Sequence, residues 1–218
     1  DILIIKLGAN EKNIEKMKAI IGAGTGIGKS ILYFNSYKCI YESLPSEGGN
    51  SDFPIKDMFE FELINYVKEK KNLEVPVRYE DILSGQGIES IYSFLKNTRN
   101  YEKTKYDEII EKSNDRPSAI SKYKNIDPKC RETFRLLSKF YGRCAKNFAL
   151  DSLSLGGVYI AGGIAMKNKD ILENKEFLDE FIDCQTQKEV LNSIPVYLIR
   201  DYNVSLYGAA FYSVVNSK

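Results

Sequence analysis

Residues 19–34 read A-I-I-G-A-G-T-G-I-G-K-S-I-L-Y-F: an apolar run, a glycine-rich stretch from Gly22 to Gly28, and a run of β-branched and aromatic residues. Two folds compete for this stretch. The segment A-G-T-G-I-G-K-S, residues 23–30, satisfies a relaxed P-loop pattern ending in Gly28-Lys29-Ser30, although Ala23 stands where the strict form has glycine. In a P-loop the Lys and Ser open a helix whose N–H groups and dipole hold phosphate. Here the following residues alternate as strands do, and Asn35-Ser36 separates Ser30–Phe34 from Tyr37–Tyr41 as a turn separates the arms of a hairpin. A dinucleotide fingerprint fails as well, because Ile27 takes the place of its third glycine. The spacing therefore predicts a strand, a glycine-rich turn and a hairpin. Such a turn presents bare backbone N–H groups to phosphate oxygens without a helix, and Thr25 adds a hydroxyl.

Outward from this stretch, strands and helices alternate. Residues 2–7 read as a strand, closed by Gly8-Ala9-Asn10 and a polar loop through Lys18. The chain opens at Asp1 directly into that strand, with no Met and no signal-peptide layout, so a preceding segment is expected. Downstream, Glu47-Gly48-Gly49-Asn50 lies in a loop between Pro45 and Pro54, and Met58, Phe59, Leu63, Tyr66 and Val67 repeat at helical spacing. Gly87 is expected to open a helix carrying Ile88, Ile91, Tyr92 and Leu95 on one face. Residues 96–128, rich in Lys, Asn, Tyr and Glu, read as short surface helices. Asp127-Pro128 starts the clearest helix, with Phe134, Leu137, Tyr141, Cys144 and Phe148 on its apolar face. Val158–Ala161 and Pro195–Ile199 read as strands, Lys169 to Phe181 as amphipathic, and Ser205 to Val215 as a terminal helix. The class this predicts is α/β, a mixed sheet flanked by helices.

Composition narrows the chemistry. The 218 residues, 43% hydrophobic and 28% charged, suffice for one substantial core, and a net charge of +1 gives no electrostatic reason to seek nucleic acid or an anionic membrane. The absence of histidine excludes His-ligated zinc and Ser-His-Asp or Cys-His catalysis within these residues. Cys39, Cys130, Cys144 and Cys184 are scattered without a CxxC pair and read as reduced thiols of a cytoplasmic protein.

Taken in order, I-G-A-G-T-G-I-G, L-P-S-E-G-G-N-S-D-F, Y-E-D-I-L-S-G-Q-G-I, G-G-V-Y-I-A-G-G-I-A, I-P-V-Y-L-I and L-Y-G-A-A form a succession that resembles the bacterial-type glucokinase family. The resemblance covers the chain from about Ile20 to Ala210. It implies a ribonuclease H-like, actin-like ATPase fold. Residues 1–218 would then be the large C-terminal domain, with a helical insertion at about 96–128 and the small N-terminal domain missing. By the same resemblance Gly22, Gly24, Thr25 and Gly26 lie under the β- and γ-phosphates of ATP, and Gly162 and Gly163 form the adenosine-side turn. Glu47, Asn50 and Glu80 hold the sugar. The implied ligands are glucose, ATP and Mg2+, and a homodimer is left open. Ionised carboxylates only accept hydrogen bonds, so a pair of them can take several hydroxyl donors and fix a hexose, and positioning supplies much of the catalysis of phosphoryl transfer.

Two departures stand out. The family has histidine where this chain has Asn50, a shorter side chain with one donor and one acceptor group. The family's catalytic aspartate, in an Asn-Asp pair at a helix start ahead of the Gly-Thr-Gly loop, has no counterpart before residue 22, and no D-x-G-G-T loop occurs. No catalytic residue and no metal ligand is therefore assigned within the chain, and residues 1–218 alone are expected to turn over little. A catalytically impaired, glucokinase-like sugar-binding protein and a P-loop NTPase are the alternative readings.

Overall fold

Burial alternates along the strands and sets the sheet. In the computed structural model, which describes residues 1–8 and 15–216, β1 spans Ile2–Lys6, β2 Lys18–Ala23, β3 Ile27–Asn35, β4 Ile40–Ser46, β5 Val158–Ala161 and β6 Val196–Ile199. Ala19, Ile21, Val158, Ile160, Val196 and Leu198 are fully buried on one face, while Ile20, Tyr159 and Tyr197 on the other are half-buried. The expected loop from Gly8 to Lys18 falls mainly on residues 9–14, outside the described residues.

The six strands run in the order β1-β6-β5-β2-β3-β4. Strands β2, β3 and β4 form an antiparallel meander; β5 and β6 add in parallel to β2, and β1 closes the edge antiparallel to β6. The hairpin turn is longer than the expected Asn35-Ser36 pair. Asn35 Oδ1 accepts the amides of Tyr37 and Lys38, and Cys39 takes a positive φ of 53°, so β4 starts only at Ile40.

Helices α1 (Met58–Lys70), α2 (Tyr79–Ile82), α3 (Gly85–Thr98), α4 (Lys105–Glu111), α5 (Arg116–Lys122) and α6 (Pro128–Asp151) fill the crossover from β4 to β5. Helices α7 (Gly163–Lys167), α8 (Asp170–Glu173), α9 (Lys175–Ile182) and α10 (Lys188–Ser193) lead to β6, and α11 (Val204–Asn216) follows it. Side-chain caps account for several starts. Asp57 accepts the Glu60 amide, and Asp127 accepts those of Lys129 and Cys130, with Pro128 at the first turn of α6. Ser84 accepts the Gly87 amide, which starts α3 at Gly85, two residues earlier than the glycine spacing predicts.

The core centres on α6. Its residues Leu137, Phe140, Tyr141, Cys144, Ala145 and Phe148 are buried with the inner sheet face, α3 and α9. One charged cluster is buried there too. Arg143 forks onto Glu60 at 2.6 and 2.7 Å, reaches Glu180 at 3.2 Å and donates to the Pro54 carbonyl at 2.9 Å. Burial works to raise the Glu60 carboxyl, but hydrogen bonds from Arg143, Lys139 and the Lys56 amide outweigh it and hold Glu60 at about 2. A second cluster pins residues 96–128 down. Buried Lys129 lies 3.3 Å from Asp107 and 3.6 Å from Asp127, and Tyr92 donates to Asp107 at 2.6 Å. Among the described residues no helix is long and apolar enough to cross a membrane.

Candidate functional site

The glycine-rich turn joins β2 to β3. Gly24 donates to the Gly26 carbonyl at 2.8 Å, and Gly85 at the start of α3 donates to the Gly24 carbonyl at 3.0 Å. No helix follows the turn. Lys29 and Ser30 are residues of β3, paired with Ile21 and Ile20 of β2, so the P-loop alternative is corrected: the helix terminus that would hold phosphate beside Lys29 does not form.

A second glycine turn packs on the first. Gly22 and Ala161 are partners in the parallel β2–β5 ladder, and Gly162 follows with φ +92°. A Cβ at Gly162 would collide with the Ala23 carbonyl oxygen, so only glycine permits this approach. Gly163 then opens α7. Both turns lie at the carboxyl ends of parallel strands, where open α/β sheets bind ligands. They line a cleft of about 1460 Å³ together with Thr25, Gly26 and Glu80, and Asp201, Ser205 and Gly208 around the start of α11 line it as well. Ser205 and Gly208 are additional to the candidate site residues; their sequence signal is the pair of small residues flanking Leu206-Tyr207 at the start of a largely apolar helix.

Glu80 is the second residue of α2 and is half-buried against the turn. Its Oε2 accepts the Ile27 amide at 3.4 Å and stands 2.5 Å from where a Cβ on Gly26 would lie. Glu47 precedes a 3-10 turn over Gly48–Asn50, in which Gly49 is buried against the Ile27 carbonyl. Glu47 and Asn50 are exposed and lie outside the cleft lining.

These groups are nevertheless tied together. Asn50 Nδ2 donates to Glu47 Oε2 at 3.1 Å, and Asn50 Oδ1 accepts from Arg78 Nη1 at 2.7 Å. The backbones are bridged alongside: Tyr79 N donates to Ser51 O at 3.0 Å and Phe53 N to Val77 O at 2.8 Å. Arg78 and Lys71 both bond Asp81, one residue past Glu80. Burial works to raise the Asp81 carboxyl, and the Arg78 and Lys71 bonds overcome it, holding it at about 2. Arg78 was not anticipated. Its bond to Asn50 spans 28 residues, and Arg is not an N-cap residue type, so no local pattern marks it.

Solved glucokinases share this fold. The solved glucokinase of Leishmania braziliensis matches with a TM-score of 0.80 at 15% identity, over 98% of this chain and 58% of that one. A glucokinase from Balamuthia mandrillaris, solved in complex with glucose, matches with a TM-score of 0.78 at 23% identity, over 96% of this chain and 58% of that one. At these identities the likeness carries the fold, which is the actin-like ATPase fold. A family model described as Glucokinase matches residues 3–215. The curated glucokinase of Trichormus variabilis is 36% identical over 220 residues, covering 95% of this chain. The chain belongs to the glucokinase family. It spans less than two thirds of the curated relatives it matches, 64% of the one from Trichormus variabilis.

Proposed function

We propose that the protein is a glucokinase, transferring the terminal phosphoryl group of ATP to the 6-hydroxyl of glucose, and that these residues supply hexose- and nucleotide-binding groups. The observation that carries the reading is the position of Glu80: its carboxylate rests on the glycine-rich turn, and its chain neighbour Asp81 is linked through Arg78 and Asn50 to Glu47.

In this reading the backbone amides of Gly22, Gly24, Thr25 and Gly26 face the phosphates, and Gly162 and Gly163 border the adenosine. Glu47 and Glu80 accept hydroxyl hydrogens of the hexose. Asn50 keeps an amide hydrogen for the sugar after donating to Glu47. Fixing both substrates against one turn converts a bimolecular encounter into a positioned one. Magnesium carried by the nucleotide would supply charge neutralisation for phosphoryl transfer, and no residue of this chain is assigned to hold it. The base that takes the hydroxyl proton is assigned to the family's upstream aspartate, outside this sequence, residues 1–218 form the large domain, and the reaction takes place in the cytoplasm.

The test is ATP consumption by the complete encoded protein with and without glucose. Turnover that requires glucose and collapses in Glu80→Gln supports the reading. Glucose binding without ATP turnover would instead favour a sugar-binding protein that has lost catalysis.

A further inference from the structure

Lys29 has a conspicuous setting for a lysine. It is 7% exposed, and among the described residues no carboxylate lies within ion-pair reach of it. Its ammonium instead stands 4.1 Å from the ring centroid of Tyr79 and 5.2 Å from that of Phe148, both buried rings. The buried Cys144 thiol is its other neighbour. Burial pushes that thiol up to about 11 while Lys29 pulls it the other way. A desolvated ammonium loses its hydration, and stacked π faces return part of that loss. A core lysine without a carboxylate is a poor space filler, since methionine would occupy the volume without the charge. The charge must therefore be read with what it touches.

The two ends of this side chain touch the neighbours of both proposed hexose carboxylates. Its stem passes beneath Gly48, the residue after Glu47: a Cβ added to Gly48 would stand 2.9 Å from Lys29 Cδ. Its ammonium sits on Tyr79, the residue before Glu80, and Tyr79 is itself held by the Ser51 carbonyl at its amide and by Asn147 at its hydroxyl. We infer that Lys29 is a positioning residue of the hexose site, its stem seating the Glu47 turn and its ammonium holding Tyr79, so that Glu47 and Glu80 keep one spacing. The inference rests on the reading of Glu47 and Glu80 as hexose ligands. It also gives the lysine of G-I-G-K-S a role that is not phosphate binding.

The test compares Lys29→Met, which keeps length and removes charge, with Lys29→Arg and Tyr79→Leu in the complete encoded protein. In Lys29→Met the glucose KM rises roughly tenfold, the share of a desolvated cation–π contact that reaches the site. The ATP KM stays within about twofold, which separates loss of hexose positioning from loss of nucleotide binding. Lys29→Arg restores most of the glucose KM, and Tyr79→Leu reproduces the Lys29→Met pattern. Hydrogen exchange gives a second readout that needs no turnover: amides 48–51 and 79–83 exchange faster in Lys29→Met, while 24–26 do not change. A wild type that does not phosphorylate glucose would thus sink the glucokinase reading, and the exchange data would still decide the coupling. Unchanged exchange in both segments, a rise in ATP KM alone, or lowered thermal stability with both KM values intact would each overturn the role of Lys29. Should Lys29→Met fail to fold, Tyr79→Leu decides by the same two readouts.

Discussion

Glu80 and Gly26 meet across the glycine-rich turn: the carboxylate Oε2 stands 2.5 Å from the position a Cβ at residue 26 would take, and it accepts the next amide, that of Ile27. The absence of a side chain at 26 lets the Glu80 carboxylate, proposed to face the sugar, and the turn proposed to face phosphate share one wall. Gly26→Ala is therefore expected to displace Glu80. Steady-state kinetics of the complete encoded protein should show a glucose KM raised about tenfold or more, the range of a lost charged hydrogen bond, with a smaller change in ATP KM.

Gly162 is constrained differently. Its φ of +92° and its contact with the Ala23 carbonyl both forbid a side chain. Gly162→Ala should lower stability by about 1–3 kcal/mol, read as a shift in urea midpoint, and should weaken ATP binding more than glucose binding.

The Asn50 bridge connects Glu47 to Arg78. Asn50→Ala removes both bonds, which releases exposed Glu47 while Arg78 keeps its bonds to Asp81. The expected outcome is a glucose KM raised several-fold, about 1 kcal/mol of lost positioning, with the thermal midpoint nearly unchanged. A large loss of stability would show that the bridge holds the fold rather than the site.

Acid should unfold the protein through its buried carboxylates. Glu60 and Asp81 are held at about 2 in the folded chain, below the ordinary value of about 4 for such groups. A depressed folded value means the contribution is complete above the unfolded pKa and is lost as pH falls through it towards 2. Urea unfolding should therefore show stability falling between about pH 4.5 and 2, by a few kcal/mol. Asp81→Asn should flatten part of that slope. Arg143→Met, which leaves buried Glu60 only Lys139 and the Lys56 amide, should cost about 3 kcal/mol at neutral pH, the lower end of the range for a broken buried pair.

Much of the architecture was legible because it rests on local periodicity. The alternation along 18–23 and 27–34, the apolar stripe of 128–151 and the glycine pairs at 156 and 162 mark strands and helices wherever they occur. The boundaries that shifted depend on single side chains. Ser84 caps α3 ahead of Gly87, and Asn35 gathers two amides and lengthens the hairpin turn. Short α7 and α10 lack the length for a periodic signal. At the candidate site, the order of the glycine and glutamate segments was readable, whereas Arg78, Tyr79 and the true setting of Lys29 were not. Their partners lie 28, 68 and 50 residues away in sequence, at Asn50, Asn147 and Tyr79, and come close only when the chain folds.

The central claim is that Glu47 and Glu80 together face one hexose beside the glycine-rich turn. A crystal structure of the complete encoded protein with glucose tests it most directly. Sugar hydroxyls within hydrogen-bond distance of both carboxylates, with one hydroxyl directed at the turn over residues 24–26, are the predicted result. Glucose bound elsewhere, or touching neither carboxylate, would contradict it.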